Sequence, residues 1–304
     1  MNGEASGIPL TFRSMRIASE VLARLYFSVA LVATIANAQS TIHQQIQQTY
    51  NFQPHTLSNA EITKKSGVLD QFWSKAKAEP DVYIPALRLE LADFHNSHFF
   101  LYDGSMLLLS LSNTPADRTI ALAAMAHSDL RDVQSKDYFL QVHRMATLGD
   151  NTTDAAFHIL DDRNFKVFIP QHVLRLGQNY ALVYMLLPTN QDYWLQPAID
   201  RLQTEKDETA EKSLVLLLWY AQTDASDQAI AAFVEDPSKP KAALDYARQI
   251  LKAKTQIDEK HRSRAQLLSE DSIRNKRSER MKAVSDEALI DLDDYTMMLA
   301  AKRK

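Results

Sequence analysis

An all-α fold of stacked antiparallel helix pairs is what this sequence predicts, and three observations carry the prediction. Apolar residues recur at helical spacing from Val68 to Leu251, separated by polar breaks rich in Ser, Thr, Asp and Pro. Glycine is scarce, six in 304 residues, about 2% against a usual share near 7%. Folds dense in tight turns and hairpins need the positive φ angles that glycine supplies, so they are disfavoured. Strand candidates are few, and the best is Lys166 to Ile169 with its neighbour Phe165. An irregular helical bundle is the alternative arrangement.

Taken in order, residues 39–67 form a polar lead-in, dominated by Gln, Asn, Ser and Thr, expected to be loosely packed with room for one short helix. The helical body, 68–251, opens with a helix around Trp73 and Lys77 that stops near Pro80. Pro80-Asp81 leads into VYIPALRLELADF, and Ser97 precedes HFFLYDGSMLLLSLS. Thr114-Pro115-Ala116-Asp117 is a helix start: a Thr cap, Pro in the first turn, and an acid near the positive end of the dipole. Ser135 opens a helix with Phe139, Val142, Met145 and Ala146 on one face and Gly149 as its stop. Thr153 opens a short helix through Leu160. Asn190 to Thr204 keeps helical spacing, and Glu205 to Thr223 begins with acids and is apolar on all sides from Leu214 to Ala221, which predicts a fully buried helix. Ser226 to Val234 and Ser238 to Leu251 give two more.

Residues 1–38 hold an address. Arg16 and Arg24, offset by Glu20, precede an uncharged run from Leu25 to Ala36, and Ala36-Asn37-Ala38 follows. A basic start, a short apolar run and an A-x-A end describe a secretory signal peptide. Met15 is the expected start and cleavage is expected after Ala38. As a helix the run reaches about 18 Å, short of the bilayer's apolar core of about 30 Å. The expectation is an exported protein, periplasmic or extracellular, that meets a membrane only through its transient leader.

The stretch 252–304 differs in composition. It carries a net charge of +3, against −8 for 39–251 and −4 for the whole chain. Ser285-Asp286-Glu287 is a helix start, and Leu289, Leu292, Tyr295 and Leu299 share a face. This charged helical tail is expected to dock on the acidic body.

Three segments resemble one another: Tyr83-Ile84-Pro85 with Leu87-Arg88-Leu89, Phe168-Ile169-Pro170 with Leu174-Arg175-Leu176, and Trp194-Leu195-Gln196-Pro197 with Arg201-Leu202. Each runs aromatic, aliphatic, Pro, then an apolar face with one Arg. Helix pairs in this register, together with Asp117-Arg118-Thr119-Ile120-Ala121 as the start of a second helix, resemble HEAT repeats over about 80–251. The resemblance implies an α-solenoid in which each helix pair needs its neighbours to bury its apolar face. It implies a non-catalytic scaffold with a protein partner, and it supplies no catalytic residue.

Motifs for chemistry are sparse. With no cysteine, disulfides, thiolate metal sites and a Cys nucleophile are excluded. No G-x-x-x-x-G-K, G-x-G-x-x-G, G-x-S-x-G or H-E-x-x-H occurs, and no cofactor is expected. The densest set of metal-ligand types is His95 and His98, three apart, with Asp103 nearby; a polar inter-helix turn is the competing reading. Asp161-Asp162 and Asp207-Glu208 are adjacent in sequence, which is not the geometry of two carboxyls facing across a glycosidic bond. An α/α-toroid carbohydrate hydrolase is nevertheless the alternative function, with Trp73, Trp194 and Trp219 as the stacking residues available. The basic block 252–282 lacks interleaved aromatics, so nucleic acid is not an expected partner.

Overall fold

A computed structural model describes residues 40–169 and 174–261; residues 1–39 and 262–304 lie outside the described residues, and with them the expectations of a signal peptide and of a docking helix near the C-terminal end. The fold is all-α. Its elements are α1 (40–49), α2 (Asn59–Ala78), α3 (Pro80–Leu91), α4 (His98–Leu111), α5 (Pro115–Met125), α6 (Ser135–Thr147), α7 (Thr153–His158), β1 (Lys166–Ile169), β2 (Leu174–Gly177), α8 (Gln178–Leu186), α9 (Gln191–Thr204), α10 (Glu208–Ala221), α11 (Asp224–Glu235) and α12 (Lys241–His261).

Local chemistry sets the boundaries. Ser58 and Glu61 form a reciprocal capping box at the start of α2, and Thr223 with Ser226 does the same for α11. The Thr114 hydroxyl oxygen accepts the Asp117 amide at 3.2 Å, with Pro115 in the first turn, as the sequence predicts. Asp207 caps α10 by accepting the amides of Thr209 and Ala210 at 2.9 and 3.0 Å. After α6 the chain turns at Gly149 with φ +85°, where a side chain would be strained.

Two apolar clusters make the interior. The first gathers α1 to α4, with Ile46, Tyr50, Tyr83, Leu87, Phe100 and Leu108 each at most 1% exposed. The second runs from α6 to α12 around α10, where Leu214 to Leu218 and Trp219 are all fully buried. Helix α5 joins them: Ala124 belongs to the first cluster, Leu122 and Met125 to the second. Helix α10 packs on α8, α9, α11 and α12, which is why its apolar residues leave no polar face.

Two expectations need amending. The middle one of the three look-alike segments is not helical: β1 pairs antiparallel with β2, Val167 opposite Leu176. Both of those side chains are buried, so a period of two seats them against the helical core. The first and third segments do form helices with an internal proline, Pro85 in α3 and Pro197 in α9. The polar lead-in is packed more closely than its composition suggests, because Ile42 and Ile46 on one face of α1, and Tyr50 just past its end, are 1–3% exposed. Among the described residues no helix is long and apolar enough to cross a membrane.

Candidate functional site

The connections between helices converge beside α1. Its anchor is polar. His43 Nδ1 lies 2.8 and 2.9 Å from the two carboxylate oxygens of Glu90, at the end of α3. Asn96, in the turn between α3 and α4, donates to the Glu90 carbonyl at 2.7 Å and accepts from Gln47 at 2.7 Å. Burying Glu90 and Asn96 is tolerable because each has its partner. They hold the turn bearing His95, Ser97 and His98 against the first helix.

Deeper in the same region, Asp103 accepts from the Tyr50 hydroxyl at 2.6 Å and from Trp73 Nε1 at 2.8 Å. Burial pushes the Asp103 carboxyl up, while these two donors oppose the shift. The same burial, with Asp103 beside it, pushes the Tyr50 phenol well up.

The third wall is the short turn Leu130–Asp132 that links α5 to α6. Asp132 accepts the His55 amide at 2.7 Å and lies 2.8 Å from His55 Nδ1, which ties this turn to the Pro54–Thr56 turn 77 residues away. Asp129 accepts from the Arg131 amide and from its guanidinium Nε and Nη2, at 2.6–3.2 Å. Those bonds hold the Asp129 carboxyl down at about 2.

Between the three turns lies an open cavity of about 640 Å³. Tyr50, Asn51 and Phe52 line it from the first turn, His95 and His98 from the second, and Asp129, Arg131 and Asp132 from the third. It offers hydrogen-bond acceptors, imidazoles, one guanidinium and aromatic edges at the surface, a set suited to holding a polar ligand.

The structure places the sequence-singled residues as follows. His95 and His98 both line this cavity, one in the turn and one at the first position of α4. His95 Nδ1 lies 3.0 Å from Asp93. Asp103 is engaged by Tyr50 and Trp73 instead. Among the described residues the one trio of His and acid side chains with ligand atoms within 4.8 Å of one another is His55, Asp129 and Asp132. Sequence reasoning missed this trio. Asp129 and Asp132 are three apart in a polar break, which is a faint signal, and His55 joins them only through tertiary packing. Of the adjacent acids, Asp207 serves as a helix cap and Glu208 pairs with Lys212 one turn on, at 2.6 Å, while Asp161 pairs with Arg201.

No protein-family model, curated protein or solved structure matches this chain.

Proposed function

We propose that this protein is an exported helical scaffold that binds another protein through its inter-helix turns, without catalysing a reaction. One observation carries the reading: three turns far apart in sequence, one held to α1 through Asn96 and one held to the Pro54–Thr56 turn through Asp132, frame one open polar cavity of about 640 Å³. Loops held in place by a rigid helical body are the usual place for recognition. Consecutive helices pack on each other from α2 to α5 and from α9 to α12, which supports a HEAT-like reading of these stretches. The Asp129 and Asp132 carboxylates sit on the same short turn. A hydrolytic pair instead flanks the scissile bond from two sides. That favours the scaffold over the helical carbohydrate hydrolase.

The test is site-specific photocrosslinking in the exported fraction of the source cells. A photoreactive residue at Asn51 or His98 should trap one discrete protein partner, whereas the same residue at exposed Glu235, on α11, should not. Equal adducts at the cavity and at Glu235, or release of reducing sugar from polysaccharide by the purified chain, would overturn the proposal.

A further inference from the structure

We infer that His55, Asp129 and Asp132 form a binding site for a divalent transition metal of the zinc type. The reading is independent of the scaffold proposal and rests on three observations. First, the ligand atoms lie close enough. A tetrahedral zinc ion holds its N and O ligands at about 2.0–2.2 Å, which spaces them about 3.3 Å apart. Here Nδ1 of His55 and Oδ1 of Asp132 are 2.8 Å apart, and all three residues offer an atom within 4.8 Å of the others. Side-chain rotation on the two turns can bring this set onto a common ion.

Second, the Asp132 side chain is 1% exposed. A buried carboxylate costs free energy unless something supplies a positive partner. Asp132 lines the cavity, so a cation arriving from solvent can reach its carboxylate.

Third, the set has the composition and rigidity such a site needs. One imidazole and two carboxylates match borderline cations, with a fourth position left to water from the cavity. Asp129 and Asp132 are fixed on one short turn, and the His55 backbone amide on Asp132 Oδ1 fixes the other half. Arg131 neutralises Asp129 in this structure, but its side chain is 70% exposed, so water can take over its hydrogen bonds as a metal displaces it. A bound ion would cross-link the 54–56 turn to the 129–132 turn.

The experiment uses the full chain purified without a histidine tag, stripped with chelator and titrated with Co(II) and then Zn(II). One equivalent of Co(II) should give the visible absorption of a low-coordinate site, and Zn(II) should displace it. Zn(II) at a hundredfold excess over its dissociation constant should raise the melting midpoint by about 5 °C. The variants H55Q and D132N should weaken binding at least tenfold. Circular dichroism checks that H55Q and D132N both keep the fold. The double variant H95A/H98A should bind as the parent does. Absence of Co(II) absorption in the parent, unchanged affinity in H55Q, or loss of binding in H95A/H98A alone would overturn the assignment.

Discussion

Lys239 places its ammonium 3.1 Å from Glu211 Oε1, with the two side chains 8% and 0% exposed. The same ammonium donates to the carbonyls of Leu202 and Glu205 at 3.1 and 2.8 Å, at the C-terminal end of α9. One cation therefore holds the end of α9, the start of α10 and the connection from α11 to α12. Burial pushes the Glu211 carboxyl up, and Lys239 opposes that shift.

Removing Lys239 leaves Glu211 in the interior without a counter-charge. K239M should cost about 3–5 kcal/mol, the range for breaking a buried pair from one side. E211Q should cost less, because Lys239 keeps its carbonyl acceptors. The double variant K239M/E211L should recover most of the loss, since two matched apolar groups need no partner. Urea unfolding of the three variants decides it, and a K239M loss under about 1 kcal/mol would show that the pair holds nothing together.

Acid should loosen the junction between α3 and α5. Arg88 grips the fully buried Asp117 with two donors at 2.6 and 3.0 Å. Ser112 and Thr114 add hydroxyl donors at 2.6 and 2.5 Å. The Arg88 bonds, then those hydroxyls, hold the Asp117 carboxyl well below its ordinary range. A depressed carboxyl contributes stability that is present above its unfolded value, about 3.9, and is lost as pH falls below it toward the folded value. Stability should therefore decline below about pH 4, and D117N should flatten that decline while costing about 2 kcal/mol at pH 7. The cost stays under that of a fully buried pair because Arg88 is 42% exposed and keeps water. Melting midpoints of both proteins between pH 2.5 and 7 are the measurement, and parallel curves would rule out Asp117 as the acid-sensitive group.

The helices were legible because their signals are local. Thr114 and Asp117 sit one turn apart, and Leu214 to Ala221 announces its burial by lacking polar residues. The hairpin was half legible: Lys166–Ile169 stood out through β-branched and aromatic residues, while Leu174-Arg175-Leu176 suits a helix face as well as a strand. Its period-two pairing with β1 decides the matter only in three dimensions. The cavity was legible in its second wall alone, since His95 and His98 are neighbours, whereas the bond between His55 and Asp132 spans 77 residues and leaves no trace in spacing. The polar lead-in misled because Ile42, Ile46 and Tyr50 are spaced for one helical face but diluted by Gln.

A close approach in α4 gives a third prediction. A Cβ built on Gly104 would meet the Phe100 ring at 2.6 Å, and Phe100 is fully buried. Alanine would favour the helix by about 1 kcal/mol, but overpacking a tight core costs about 1–3 kcal/mol. The clash should win, so G104A should be destabilised by about 1 kcal/mol. F100L in the same chain frees the space, so the double variant should lose less than the two single losses added. Additive losses in chemical denaturation would show that the ring moves aside freely.

Helix α1 should separate from the body before the body unfolds. Apolar contact through Ile42, Ile46 and Tyr50, with polar ties from His43, Gln47 and Tyr50, joins it to the first cluster, whereas α10 is enclosed by four helices. Local opening free energies follow such differences in buried contact. I46A should remove about 2–4 kcal/mol of that contact. In hydrogen exchange, amides of residues 40–53 should then lose protection about a hundredfold or more, with those of α10 little changed. The His55 tie to Asp132 would be weakened with them, because the 54–56 turn follows directly. Equal loss of protection in α1 and α10 would instead mean that both clusters unfold as one unit, through α5, which contributes residues to each.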